Sequence, residues 1–98
     1  MTISKEIKDT AMTISVGGRL DTSTAPQLEN EIKQNISGIT ELTIDMSELE
    51  YISSAGLRVL LSAQKIMNKQ GNMTIRNVKK EIAEIFEVTG FDDILNIE

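Results

Sequence analysis

The sequence predicts an α/β domain: a mostly parallel central sheet with an antiparallel strand at its N-terminal edge and helices packed on it. Three observations predict it. Before residue 20, apolar residues alternate with polar ones in two short segments, the period of a half-buried strand. After that, Leu and Ile at four-residue spacing alternate with short apolar runs, the strand–helix–strand pattern whose right-handed crossover leaves neighbouring strands parallel. Finally, 98 residues allow one domain with an unstapled core and no comfortable second one, so residues 1–98 are taken as a single domain.

The elements follow in order. Ile3, Lys5 and Ile7 alternate with Ser4, Glu6 and Lys8, and Asp9-Thr10 reads as a turn. Met12 to Val16 alternates again and ends at Gly17-Gly18, giving an antiparallel hairpin with the first strand. Thr24-Ala25-Pro26-Gln27 reads as a helix start: Thr24 as cap, Pro26 in the first turn where its missing N–H costs nothing, and Gln27 completing a capping box. Leu28, Ile32 and Ile36 form that helix's apolar face, and Gly38 ends it. Leu42–Met46 is a third strand, followed by a loop through Leu49–Ser54. From Ala55 to Gln70, Leu57, Leu60, Leu61, Ile66 and Met67 mark the buried side of a second helix. Arg58, Ser62, Lys65 and Lys69 form its exposed stripe, and Gly71 stops it. Met73–Ile75 is a short strand. Val78, Ile82, Ile85 and Phe86 mark a third helix ending near Gly90, and Ile94, Leu95 and Ile97 close the chain. Leu28, Ile32, Ile44, Leu60, Ile75, Ile82 and Phe86 should share one core.

Composition narrows the chemistry. There is no His and no Cys, so neither a Ser-His-Asp nor a Cys-His relay can be built, and zinc or iron–sulfur sites lack their usual ligands. The expectation is a chain that is not an enzyme and needs no cofactor or metal. Aromatics are only 3%, which makes the core aliphatic. The net charge of −5 falls in residues 1–50, with 4 basic and 9 acidic groups, against 6 and 6 in residues 51–98. An acidic half is a poor match for a phosphate backbone, so no nucleic acid partner is expected. No window approaches the roughly 20 apolar residues of a membrane span, and the charged, alternating N-terminus is unlike a signal peptide. A cytoplasmic protein without membrane insertion is expected.

The unusual stretch is Leu49-Glu50-Tyr51-Ile52-Ser53-Ser54-Ala55-Gly56-Leu57, in the loop after the Leu42–Met46 strand and at the start of the next helix. Ser53 or Ser54 is placed to cap the helix, and the N-terminal N–H groups and dipole favour a dianion there. A phosphorylated serine would be well tolerated by its own backbone. Ala55 and Gly56 leave the first turn bare for a partner to approach.

Three segments in order carry a family resemblance: Gly18-Arg19-Leu20-Asp21-Thr22-Ser23-Thr24-Ala25, Tyr51-Ile52-Ser53-Ser54-Ala55-Gly56-Leu57-Arg58-Val59-Leu60-Leu61, and Glu84-Ile85-Phe86-Glu87-Val88-Thr89-Gly90-Phe91. Together they resemble the STAS domain in its stand-alone anti-sigma factor antagonist form, over nearly the whole chain. The resemblance implies partner switching. The unphosphorylated antagonist binds an anti-sigma factor, itself a serine kinase, and so frees a sigma factor; the kinase phosphorylates one serine and breaks the complex, and a phosphatase restores it. The family's phosphoserine falls on Ser54, with Ser53 as the alternative acceptor, and the acidic residue that precedes it in the family is replaced by Ser53. The implied partner surface comprises Asp21, Thr22, Ser53, Ser54, Gly56 and Arg58. A second reading is a STAS subunit of a lipid-transport ABC assembly, with the same helix contacting the ATPase.

Overall fold

The computed structural model describes residues 1–98. Its elements are β1 (Thr2–Lys8), β2 (Ala11–Leu20), α1 (Ala25–Asn35), β3 (Glu41–Ile52), α2 (Ser54–Gln70), β4 (Asn72–Arg76), α3 (Lys80–Thr89) and a 3₁₀ turn, Phe91–Asp93. The sheet order is β1-β2-β3-β4. β1 is antiparallel to β2, and the β2–β3 and β3–β4 pairs are parallel. The expected fold class is the observed one. Beyond β4, Ile97 adds a parallel bridge to Ile75, fastened by Ile75 N–H to the Asn96 carbonyl and Glu98 N–H to the Ile75 carbonyl.

The two faces of the sheet differ because its strands alternate. Met12, Ile14 and Val16 of β2, Leu42, Ile44 and Met46 of β3, and Met73 and Ile75 of β4 are buried on one face. They join residues from all three helices in one cluster of 24 buried residues, which includes every one of the seven predicted core positions. The opposite face carries hydroxyls and charges in register: Glu6, Thr13, Thr43 and Thr74 in one row, Ser4, Ser15, Asp45 and Arg76 in the next. Edge strand β1 is exposed almost throughout. Its inward Lys5 reaches Glu31 of α1 at 3.3 Å, a charged edge that discourages pairing with another chain.

Four sequence expectations about these elements need correction. β2 does not end at Gly17-Gly18 but continues to Leu20. The stretch after Met46 is strand rather than loop, because β3 runs on to Ile52. Relative to β2, β3 gains a residue between Asp45 and Glu48 and another between Leu49 and Tyr51, so Ser15 pairs Asp45 but Arg19 pairs Tyr51. These bulges turn the buried period from two to three (Met46, Leu49, Ile52), erasing the alternation by which a strand is recognised. The third correction is the start of α1. Thr24 makes no side-chain cap bond to Gln27. The reciprocal pair lies three residues earlier: Asp21 Oδ1 accepts from Thr24 N–H at 3.2 Å, and Thr24 Oγ1 accepts from Asp21 N–H at 2.8 Å. α1 then ends at Asn35, before Gly38, whereas α2 and α3 end at Gly71 and Gly90 as expected.

Gly71 is needed for a close approach. A Cβ there would lie 1.9 Å from the Thr40 carbonyl oxygen, which accepts from Asn72 N–H at 2.9 Å to start the β3–β4 ladder. Gly71→Ala should therefore destabilise the fold by about 1–3 kcal/mol through displaced backbone. Leu60→Ala, at a fully buried position, should cost about 2–5 kcal/mol. Urea unfolding with a common slope measures both; a loss under about 0.5 kcal/mol at either position contradicts the packing described.

Candidate functional site

The parallel strands β2 and β3 finish together, and their carboxyl ends carry the residues singled out in the sequence. Leu20 pairs with Ile52, and Ser53 N–H donates to the Leu20 carbonyl at 2.9 Å. That bond ties the Asp21 loop to the start of α2. In open α/β sheets, ligands and partners meet the protein at such ends.

The two serines are separated by role. Ser53 has extended backbone and is the cap of α2, its hydroxyl accepting from Gly56 N–H at a long 3.5 Å. Ser54 is the first helical residue; it is exposed and its hydroxyl is unengaged by any side chain or backbone group. The first turn of α2 contains no acidic residue, so its N-terminal partial positive charge is uncompensated.

Gly56 belongs to the core. Its Cα faces inward, and a Cβ would fall 2.7 Å from Leu20 Cγ and 2.8 Å from Ile52 Cγ1. The expectation that its small size leaves room for a partner is corrected: the close neighbour is the chain's own sheet. A glycine inside a helix costs about 1 kcal/mol relative to alanine, and the closer docking of α2 on β2 and β3 offsets it.

Asp21 is held inside its own loop. Its Oδ1 accepts from Ser23 Oγ at 2.8 Å, Ser23 N–H at 3.0 Å and Thr24 N–H at 3.2 Å. The Ser23 hydroxyl above all, with these backbone donors, holds its carboxyl below the usual carboxylate range against a smaller opposing effect of desolvation. Arg19 Nε stands 3.7 Å from Asp21 Oδ2, and its guanidinium lies 4.1 Å from the centroid of the exposed Tyr51 ring. Sequence reasoning did not single out Arg19 and Tyr51 as neighbours, since only the bulged register of β3 brings them opposite each other.

Thr22 and Arg58 both line a depression of about 280 Å³ between α1 and α2, together with Ala25, Pro26, Glu29, Ala55 and Val59. Ser54 immediately precedes the lining residue Ala55 in the chain. Pro26 and Glu29 were read only as parts of a helix, because the α1–α2 juxtaposition is not encoded in either helix. No three His, Cys, Asp or Glu side chains converge as a metal cluster would. No helix is long and apolar enough to cross a membrane.

Two outcomes test this geometry. Gly56→Ala should lower stability by about 1–3 kcal/mol in urea unfolding by overpacking against Leu20 and Ile52; an unchanged midpoint contradicts the inward placement. For Asp21, a depressed folded pKa means that ionisation stabilises the fold at pH values above the ordinary value near 4, and that this contribution is lost as pH falls through the folded value. The stability difference between wild type and Asp21→Asn should thus be present at neutral pH and shrink below about pH 4. A difference independent of pH would contradict the loop's hydrogen bonding.

Comparison with known proteins agrees with this architecture. The family model described as "Mlab, STAS domain" matches residues 3–96. The anti-sigma-B factor antagonist of Listeria monocytogenes is 35% identical over 104 aligned positions, which cover 100% of this chain and 90% of that one. The crystal structure of an anti-sigma factor antagonist from Mycobacterium paratuberculosis aligns with a TM-score of 0.88 at 27% identity, covering 98% of this chain and 83% of that one. The phosphorylated form of the Bacillus cell fate determinant SpoIIAA aligns with a TM-score of 0.78 at 17% identity, covering 99% and 91%, a likeness of fold. With its parallel strand ends, capped α2 and matching sequence over residues 3–96, the chain belongs to the STAS domain family and groups there with the anti-sigma factor antagonists.

Proposed function

We propose that this chain is an anti-sigma factor antagonist that binds an anti-sigma factor in its unphosphorylated state and is switched off by phosphorylation of Ser54. The observation that carries the reading is the division of labour at the α2 start: Ser53 is occupied as the cap, while Ser54 is exposed with a free hydroxyl. The relatives' names supply the partner class, an anti-sigma factor, and one fold neighbour is described in a phosphorylated form.

The switching step is a phosphoryl transfer by the anti-sigma factor acting as a serine kinase. Ser54 Oγ attacks the γ-phosphorus of ATP, an O–P bond forms, the bond to the leaving ADP oxygen breaks, and the serine proton passes to a base of the kinase. A phosphatase reverses the state by adding water across the ester, releasing inorganic phosphate and regenerating the hydroxyl. The phosphate adds about −1.5 to −2 charge beside helix N–H groups that favour it, so the fold should be nearly unchanged. The loss of binding arises at the partner's surface, where a dianion meets desolvation and repulsion.

Incubation with the cognate kinase and ATP, followed by phosphosite mapping, tests the assignment. Ser54 should carry the phosphate, Ser53→Ala should remain a substrate, and Ser54→Ala should bind constitutively. Phosphorylation should weaken binding more than a hundredfold, about 3 kcal/mol, and Ser54→Asp should reproduce part of that. Phosphate on Ser53 alone, or on neither serine, contradicts the assignment; recovery of a transport ATPase in place of an anti-sigma factor favours the transport-subunit reading.

A further inference from the structure

Arg58 lies four residues after Ser54 on α2, and both side chains are exposed. At this spacing two helix side chains are neighbours, with Cβ atoms about 5–6 Å apart, and the favourable order places the anion N-terminal to the cation. The helix Ser54–Gln70 contains no Asp or Glu, so Arg58 has no carboxylate of its own helix to pair with. It is absent from all four ion pairs of the structure.

The charges facing it are already engaged. Glu29, across the depression on α1, stands 3.6 Å from Lys33. Asp21 is held by Ser23, Thr24 and Arg19. Of the two charges lining the depression, Glu29 and Arg58, only Arg58 makes no ion pair, and Ala25, Ala55 and Val59 give the lining an apolar part. Such a site suits a carboxylate side chain flanked by a small apolar residue, because a guanidinium offers a planar fork of donors and Ala25, Ala55 and Val59 offer apolar contact beside it.

We propose that Arg58 is the cation that receives a carboxylate of the anti-sigma factor, and that a phosphate on Ser54 captures the same guanidinium in cis, withdrawing it from the partner. The inference rests on Ser54 as the phosphoacceptor and specifies how its modification reaches the interface. The switch then has two components: the new dianion repels the partner's carboxylate, and the residue that would have compensated that carboxylate is no longer available. No refolding of the domain is needed.

The cis pair can be tested without kinase or partner. Phosphoserine is installed at position 54 by genetic encoding, and the phosphate is titrated by ³¹P NMR in otherwise wild-type chain and in Arg58→Ala, Arg58→Lys and Lys65→Ala backgrounds. The wild-type midpoint should lie below the ordinary value of about 6. Arg58→Ala should raise it, Arg58→Lys should restore part of the shift, and Lys65→Ala should leave it unchanged. The same midpoint in wild type and Arg58→Ala overturns the capture. Binding of the anti-sigma factor recovered by pull-down from wild-type chain supplies the second arm. Arg58→Ala should weaken binding of the unphosphorylated chain about tenfold, and the penalty of phosphorylation should be several-fold smaller in Arg58→Ala than in wild type. An equal penalty in both overturns the coupling. If unphosphorylated wild type binds no anti-sigma factor, the functional reading and the partner's carboxylate fall together, whereas the ³¹P result judges the cis pair independently.

Discussion

The candidate site depends on how closely the first turn of α2 approaches the ends of β2 and β3. Gly56 has no Cβ because Leu20 and Ile52 occupy the space where one would lie. With that contact made, Ser53 N–H reaches the Leu20 carbonyl, Ser53 becomes the cap, and Ser54 is left on the first helical position facing solvent. A larger residue at 56 would lift the helix start and disturb all three relations at once. The surface chemistry of Ser54 is thus set from beneath, by packing in an aliphatic core.

The charges around the site are organised more by local hydrogen bonding than by ion pairing. The Asp21 loop is wound by its own carboxylate and the Thr24 hydroxyl, a capping box that begins the turn before α1. Exposed ion pairs such as Arg19–Asp21 and Glu29–Lys33 add little stability, commonly under about 1 kcal/mol. None of them involves Arg58, which makes no ion pair on the depression between α1 and α2. A phosphate at this place meets a helix N-terminus and one free cation, which favours local accommodation over a change of fold.

The sheet separates two surfaces of unlike character. One face is covered by helices and holds the core; the other presents rows of Thr, Ser and charged residues that need no cover. The residues discussed for switching lie at the strand ends and on α1 and α2, so the polar face is not needed to account for them.

Most of the architecture was legible in the sequence because it rests on periodicity. Alternation marked β1 and most of β2, four-residue spacing marked the helices, and all seven predicted core positions are buried. The family motifs pointed to Ser54 and Asp21 from residue identity alone. What the sequence could not convey depends on pairing between distant segments. The two bulges of β3 mimic a loop, since an extra residue breaks the two-residue period while the ladder to β2 continues. The inward facing of Gly56, the Arg19–Tyr51 stack, and the joining of Thr22 with Arg58 on one depression are products of tertiary contact. Sequence by itself determined the order of elements, the aliphatic core and the serine pair at a helix start, because these follow from local spacing and chemistry. Only the tertiary structure decided which serine caps and which is free, because that depends on how far α2 settles onto the ends of β2 and β3.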